Sequence, residues 1–173
     1  MSNYPLRFGL IAGGTVICLT LLFYFVDKSW MVSFGSFVEF GIVIYFMTKT
    51  VSAVRSESGG FISFANAFKP AWGTFIITTT ITTLFTFLLM NYIDPSLKDV
   101  VKEIQAEAFE QASGWLKLGE SDKEKMMEQL AESDAFDIKS IAFALPFSFI
   151  FPGTLYALII ALIMKKEPLL PNT

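Results

Sequence analysis

Histidine is missing from this sequence of 173 residues, and cysteine occurs once, at Cys18. Histidine is the commonest metal ligand and a frequent general base, so its absence argues against metal and catalytic-triad chemistry. A lone cysteine excludes an intramolecular disulfide and a cysteine metal cluster. No nucleophile, base and orienting residue occur in a recognisable spacing. We therefore expect no enzyme activity and no cofactor or metal.

Charge is also scarce, because Asp, Glu, Lys and Arg make up 17% of the chain while hydrophobic residues make up 53%. Four long apolar runs carry almost no charge, at about 8–26, 30–48, 71–93 and 141–164. A helix of about 20 apolar residues spans the hydrocarbon core of a lipid bilayer. The sequence predicts an all-α membrane protein, one domain over 1–173 built as a four-helix bundle, with no role in binding nucleic acid.

Two glycines of the first span, Gly9 and Gly13, lie four residues apart, and Gly14 follows directly. This Gly-x-x-x-Gly spacing lets a second helix backbone approach closely, either within the monomer or in a dimer. The polar turn that follows, Asp27 to Ser29, is very short, so spans one and two are expected to form an antiparallel hairpin.

Threonines recur at every fourth position of the third span, namely at Thr74, Thr78, Thr82 and Thr86. A helix places these residues in one stripe. Two interpretations remain open. The hydroxyls bond back to carbonyls one turn earlier and pack against other helices, or they form a polar seam that faces a cavity or a buried ionisable group.

Glu39 is the only acidic residue well inside a predicted span, and no lysine or arginine lies at comparable depth. A charged side chain at the centre of a membrane helix costs about 3 kcal/mol on insertion scales. We therefore expect Glu39 to face the bundle interior in its neutral form. It serves either as a hydrogen-bonding residue that holds helices together, or as a proton or cation site.

The fourth span contains Pro146 and then Pro152-Gly153. An interior proline removes a helix hydrogen bond and pushes against the preceding turn, so this span is predicted to be kinked or locally opened. Such kinks are often only structural, but in transporters interrupted spans also expose backbone groups that bind ions. Glu39, Thr78, Thr82 and Pro152 together form the candidate intramembrane polar site.

The segment from Asp94 to Lys139 contains 12 acidic residues and 6 lysines. Asp94-Pro95 predicts a helix start, and a capping box beginning at Ser121 predicts a second one. We expect two helices, broken near Gly119, that form an extramembrane segment, here called the lid. The lid is either a solvated cover or a surface that binds a partner.

The connection before the third span, residues 51–69, is predicted to hold a short interfacial helix at Phe61 to Phe68, after which Pro70 opens the span. Six basic residues flank the spans on one side of the bundle: Arg7, Lys49, Arg55, Lys69, Lys165 and Lys166. The positive-inside rule then places both termini in the cytoplasm and the lid outside.

Near its start the chain carries Arg-Phe-Gly-Leu-Ile-x-Gly-Gly, followed by Gly-Gly-Phe-Ile-Ser-Phe-x-x-Ala-Phe at 59–68 and Tyr-Ile-Asp-Pro at 92–95, and its last span ends in Lys-Lys. These segments resemble a bacterial membrane family catalogued as domain of unknown function 4199. The resemblance implies four spans in a bacterial inner (cytoplasmic) membrane. It assigns no activity, no catalytic residue and no binding residue.

Two functions follow as hypotheses. The first is a structural or accessory protein that packs against a membrane partner, or against its own copies, through the glycines of span one or through the lid. The second is a small oligomeric transporter or channel in which Glu39, the threonine stripe and the broken fourth span line a path.

Overall fold

The computed structural model describes residues 3–116, 119–132 and 135–167 of the chain. Within these residues lie seven α-helices: α1 (Tyr4–Val26), α2 (Lys28–Glu57), α3 (Phe64–Leu88), α4 (Leu97–Leu116), α5 (Glu120–Glu132), α6 (Ile138–Ser148) and α7 (Thr154–Met164). Wider π-helical turns extend α3 over Leu89–Ile93 and join α6 to α7 over Phe149–Gly153.

Four continuous helical segments are long and apolar enough to cross a membrane: Tyr4–Val26, Lys28–Glu57, Phe64–Ile93 and Ile138–Met164. They contact one another as a bundle in which α1, α2 and α3 pack together and α7 packs against α3 and α2. The predicted all-α bundle with a helical segment between spans three and four is confirmed. The chain is a multi-pass membrane protein.

The helices of spans two and three extend beyond the predicted limits. α2 continues through Lys49 and Arg55 to Glu57. α3 begins at Phe64, so the separate interfacial helix predicted before Pro70 is wrong. Pro70 removes one hydrogen bond from the second turn of α3. The helix continues past it, because its neighbours Ala67 and Ala71 are fully buried and hold this turn in the core.

The lid consists of α4 and α5, and the predicted break near Gly119 is confirmed. α5 nevertheless begins at Glu120, one residue before the predicted cap Ser121. The Gly119 carbonyl already accepts the Lys123 amide at 3.0 Å, which starts the helix without the Ser121 side chain. At the other end of the lid, Leu97 and Val101 are buried against α2 and the end of α3.

The end of the bundle opposite the lid, here called the basic end, is tied together by backbone hydrogen bonds. Gly59 and Gly60 adopt positive φ angles, which glycine tolerates without a Cβ clash, and so reverse the chain after α2. Ile62 and Lys166 then exchange two backbone hydrogen bonds of 2.8 and 2.9 Å. These bonds fix the start of α3 to the end of α7.

At the lid end, one carboxylate joins the first hairpin to the base of the lid. Asp94 forms an ion pair with Lys28 and accepts a hydrogen bond from the Tyr24 hydroxyl at 2.9 Å. It also accepts the Ser96 hydroxyl at 2.6 Å and the Ser96 amide at 3.2 Å, in the turn before α4. The Lys28 ammonium, with the hydroxyls of Ser96 and Tyr24, holds the pKa of the Asp94 carboxyl well below its usual range.

A first prediction concerns this carboxylate. A group whose pKa is lowered on folding stabilises the protein fully above its unfolded pKa, about 4 for aspartate, and loses that contribution as the pH falls towards the folded pKa. We expect Asp94→Asn to lower the melting temperature of the detergent-purified protein by a few degrees at pH 7. The difference from the wild type should shrink below about pH 4.

Asp99→Asn is the matched control, because Asp99 is exposed in the first turn of the same helix. It removes one negative charge without touching the hairpin. An equal loss in both variants, or a loss at Asp94 that does not change with pH, would contradict the role assigned to Asp94.

Candidate functional site

The threonine stripe of α3 faces the inside of the bundle. Thr74 and Thr78 are fully buried, and Thr82 is nearly so. The Thr74 hydroxyl lies 2.9 Å from the Pro70 carbonyl, and the Thr78 hydroxyl lies 2.9 Å from the Thr74 carbonyl. Both contacts span four residues, so this part of the stripe fits the interpretation of hydroxyls that bond back to their own helix.

The same threonines also join α3 to its neighbours. The hydroxyls of Thr50 and Thr74 lie 2.9 Å apart between α2 and α3. The Thr78 hydroxyl lies 3.3 Å from the Gly9 carbonyl of α1. Hydroxyl contacts of this kind are common between membrane helices, since small polar residues let backbones approach.

Gly9 and Gly13 both lie on the face of α1 that packs against α3. A Cβ atom at Gly9 would lie 2.8 Å from the Ile77 Cβ, and one at Gly13 would lie 3.1 Å from the Ile81 Cγ2. Distances this short leave no room for a side chain. The Gly-x-x-x-Gly pair is therefore occupied by a helix of the same chain.

The stripe meets Glu39 near the middle of α2. The Thr82 hydroxyl donates to the Glu39 Oε1 at 2.9 Å, and the Glu39 side chain is half-buried. The carboxyl makes no other hydrogen bond to the described residues, and no fully buried side-chain oxygen among them lacks a partner. The second carboxyl oxygen therefore faces open space.

Two cavities border this carboxyl, and they share Glu39, Thr86 and Phe136 in their walls. The first has a volume of about 340 Å³ and lies between α3 and α6. The second has a volume of about 390 Å³ and lies between α2 and α4 of the lid. Glu39 is thus the point at which a space under the lid and a space beside α6 meet.

The walls of the two cavities are mainly apolar, but they also carry neutral oxygen groups. The polar lining residues other than Glu39 are Thr20, Ser36, Thr79, Thr82, Thr83, Thr86, Gln105 and Ser148. No lysine or arginine lines either cavity in the described part of the chain. A single carboxyl among hydroxyls suits a proton or a small monovalent cation, whereas Ca²⁺ sites usually combine several carboxylates.

The second cavity lies on the lid side of Glu39, under α4. The first cavity runs beside α6 from Phe136 to Ser148 and reaches Thr79, which lies nearer the basic end than Thr82. Towards the basic end, the next residues of the inward face of α2 are Val43, Met47 and Val51, which are buried in one apolar cluster with Phe75 of α3. Close-packed apolar side chains leave no space for water. Along the inward face of α2, the space at the carboxyl is therefore open towards the lid and closed towards the basic end.

A family model described as "Protein of unknown function (DUF4199)" matches residues 7–166, which include all four spans and the lid. The chain belongs to the DUF4199 family. The family resemblance inferred from the sequence is therefore confirmed. No match to the chain was found among curated proteins or among solved structures.

In this DUF4199 protein, the four residues of the candidate polar site do not all meet. Glu39 and Thr82 are in contact. Thr78 lies one turn nearer the basic end and faces Gly9. Pro152 lies in the π-helical turn and lines neither cavity. We correct the candidate site accordingly, because helical periodicity gives the face of a residue but not the helix opposite it.

The α-helix of the fourth span is interrupted near its prolines, as the sequence predicts. The wide turn Phe149–Gly153 contains Pro152, and it frees backbone carbonyls from their helical partners. The Phe149 carbonyl accepts the Trp72 indole N–H at 3.1 Å and lies 3.3 Å from the Thr154 hydroxyl. The Phe149 carbonyl already accepts hydrogen bonds from side chains of the protein. At this carbonyl, the break in the helix therefore supports helix packing and does not bind an ion.

Sequence reasoning missed several residues that border Glu39. Ser36 precedes Glu39 by one turn and was detectable from helical spacing. Gln105 and Phe136 come from the lid and from the connection to α6, and no local pattern marks them. Phe136 is held in place by the Asn91 amide, which donates to its carbonyl at 2.9 Å.

Proposed function

We propose that this protein is a small non-enzymatic transporter that binds a proton or a monovalent cation at Glu39 and carries it across a bacterial cytoplasmic membrane. The observation that carries the proposal is the position of the Glu39 carboxyl, which borders two cavities. Among the described residues, the walls of these cavities carry several hydroxyl groups and no basic side chain.

The charge of Glu39 supports this assignment. An ionised carboxylate within a membrane span needs a partner of opposite charge. The described residues of the cavity walls offer hydroxyl and amide oxygens but no ammonium or guanidinium group. The charge is then balanced by a proton on the carboxyl or by a small cation held between the carboxyl and nearby hydroxyls such as Thr82 and Thr86.

The position of the cavities supports loading from the lid side. Residues of α4, among them Gln105, form part of the wall under the lid. The apolar cluster around Val43 and Phe75 closes the other direction. A site open to one side at a time is the arrangement that alternating access requires.

The fourth span supplies a moving part for such a cycle. α6 has no buried side chain, whereas α7 buries Ala157, Ile160 and Ala161 against the bundle. The π-helical turn Phe149–Gly153 lies between them. Hinges are typically a few residues at the ends of elements, so we place the hinge at this turn, with α6 moving while α7 stays packed.

The proposal is tested by ion flux into liposomes that contain only the purified protein. A pH-sensitive dye and ion-sensitive dyes inside the liposomes report protons, sodium and potassium under an imposed gradient. We expect flux of one of these ions above that of protein-free liposomes. Absence of flux for all three ions, in both gradient directions, contradicts the proposal.

The orientation is a further prediction: the basic end faces the cytoplasm and the lid lies outside. Single cysteines at Asn3, Gln111 and Glu167 report both sides, since all three residues are exposed. The native Cys18 is replaced by alanine in this background. We expect an impermeant maleimide to label position 111 in intact cells, and positions 3 and 167 after permeabilisation. The reverse pattern contradicts the orientation.

A second candidate function is the accessory role, and the observation that favours it is an aromatic stripe on α6. Phe143, Phe147 and Phe151 follow one another at four-residue spacing and are 80%, 58% and 65% exposed. A photo-cross-linking residue at Phe143 tests this role, with Leu10 on α1 (52% exposed) as the control. A specific protein adduct at Phe143 alone favours a second copy or another membrane protein on this face. Equal labelling at both positions contradicts it.

A further inference from the structure

A separate groove follows the outer surface between α2 and α7, near the basic end of the bundle. It has a volume of about 340 Å³ and shares no residue with the cavities at Glu39. Its walls are apolar, with Phe40, Ile44 and Thr48 on α2 and Tyr156, Ile159 and Ile163 on α7 among them. Ile159 and Ile163 are 46% and 76% exposed, so the groove opens sideways to the surroundings of the bundle.

The groove has a closed end and an open end. At the closed end, the rings of Phe40 and Tyr156 meet edge to face with centroids 5.1 Å apart. From Phe40 to Thr48, α2 advances by about 12 Å at 1.5 Å per residue. The open end lies beside Thr48 and Met164, where α7 ends and α2 continues to Glu57 at the basic end. This shape suits the upper part of one acyl chain.

Positive charge collects at the open end. The Arg55 Nη1 donates to the Met164 carbonyl at 3.5 Å, which places the guanidinium beside the groove. Lys165 directly follows Met164 and is exposed. Lys49 follows Thr48, and its Nζ lies 5.4 Å from the centroid of the Tyr45 ring.

Two acidic residues also lie at this end. The Glu57 carboxylate accepts the Tyr4 hydroxyl at 2.6 Å, so it is engaged with α1. The exposed Glu167 follows Lys166, whose Nζ lies 5.8 Å from the Phe61 ring centroid. The opening of the groove therefore has more basic than acidic side chains nearby, and its net charge is positive. The four basic residues are Lys49, Arg55, Lys165 and Lys166.

We propose that the groove between α2 and α7 binds an anionic phospholipid, with one acyl chain between the two helices and the phosphate at Arg55 and Lys165. A laterally open apolar groove in a membrane protein faces lipid chains, and basic residues at the end of a span lie at headgroup level. Guanidinium groups bind phosphate oxygens in a bidentate fork, which favours a phosphate ligand at Arg55. This site is independent of transport at Glu39.

The test is native mass spectrometry of the full-length protein in detergent, with phosphatidylglycerol and phosphatidylcholine of identical acyl chains as probes. We expect phosphatidylglycerol to bind at least about fivefold more tightly, as the attraction of a single basic side chain to anionic lipid would give. Equal binding of the two lipids overturns the proposal.

Two double variants test where the lipid phosphate binds. Arg55→Gln combined with Lys165→Gln should remove the preference for phosphatidylglycerol. Arg7→Gln combined with Lys69→Gln removes the same charge from exposed residues at the same end and should leave the preference intact. An equal loss in both double variants means a diffuse surface effect and overturns the proposal.

The acyl chain is tested separately. Ile159→Trp fills the groove and should weaken binding of both lipids at least fivefold, whereas Leu162→Trp, on an exposed face of the same helix, should not. Ile163→Trp replaces Ile159→Trp if the latter unfolds, because Ile163 is more exposed. Unchanged lipid binding in a folded groove variant contradicts the assignment.

Discussion

Glu39→Gln is expected to abolish ion flux while leaving the protein folded. Glutamine has the size of glutamate, and its amide oxygen accepts the Thr82 hydroxyl as the carboxyl does now at 2.9 Å. The amide does not take up or release a proton near neutral pH, and it brings no negative charge to a cation. Flux should therefore fall to the level of protein-free liposomes, and the melting temperature should change little.

Glu39→Leu separates transport from a structural role. Leucine removes the acceptor of the Thr82 hydroxyl, and interhelical hydrogen bonds in membranes are worth about 0.6 kcal/mol on average. The Thr82 hydroxyl has an alternative acceptor in the Thr79 carbonyl at 3.2 Å. We expect only slight destabilisation, together with complete loss of flux. A structural role alone predicts instead that leucine destabilises the protein and that glutamine behaves like the wild type in both stability and flux.

Thr82→Val and Thr80→Val complete the comparison. Both remove one hydroxyl from α3 at nearly constant volume. The Thr80 hydroxyl bonds only to the Ile76 carbonyl of its own helix, whereas the Thr82 hydroxyl contacts Glu39. Reduced flux is expected for Thr82→Val alone. If Glu39→Gln transports ions as fast as the wild type, the carboxyl is not the transport site.

The sequence predicted the parts of this molecule that depend on local pattern. Uncharged length identified the four spans, since a bilayer admits few other structures. The proline pair identified the opening in the fourth span. The four-residue repeat identified the buried face of α3, which includes Thr74, Thr78 and Thr82.

The cavities depend on contacts between distant segments, and for this reason local pattern did not reveal them. Phe136 reaches the wall beside Glu39 because the Asn91 side chain donates to its carbonyl across 45 positions of the chain. The wide turn Leu89–Ile93 contains no proline, and it closes with a hydrogen bond of 2.7 Å from the Asp94 amide to the Leu89 carbonyl. Periodicity likewise marked the glycine face of α1 without identifying Ile77 and Ile81 as the residues that pack against it.

The second large effect is expected at Gly153, at the end of the wide turn in the fourth span. A Cβ atom there would lie 2.6 Å from the Cδ1 and Cε1 of Phe75 and 3.2 Å from the Ser148 carbonyl oxygen. The ring cannot withdraw easily, since Phe75 is only 6% exposed and packs edge to face against Tyr156. The backbone φ of Gly153 is −62°, an ordinary helical value, so glycine is required here for space rather than for conformation.

Gly153→Ala should therefore destabilise the protein by about 1–3 kcal/mol, the range for overpacking a filled core, although alanine is the better helix former. Thermal unfolding of the purified protein in detergent measures the loss. The matched control is Gly41→Ala on α2, where a Cβ meets no atom within 4 Å. This substitution should be neutral or slightly stabilising.

Phe75→Leu tests whether the collision with this ring is the cause. Leucine has no ε carbon, so it removes one of the two ring atoms that lie nearest to a Cβ at position 153. By itself it should lower stability through lost packing. Contacting residues are not additive, so the double variant Gly153→Ala, Phe75→Leu should be more stable than the sum of the single losses predicts. Strict additivity would mean that the collision with this ring is not the cause of the loss. A Gly153→Ala variant as stable as the wild type would mean that α7 moves away from α3 at little cost. The wide turn and α7 would then move together, and the hinge assigned to Phe149–Gly153 would have to be placed elsewhere.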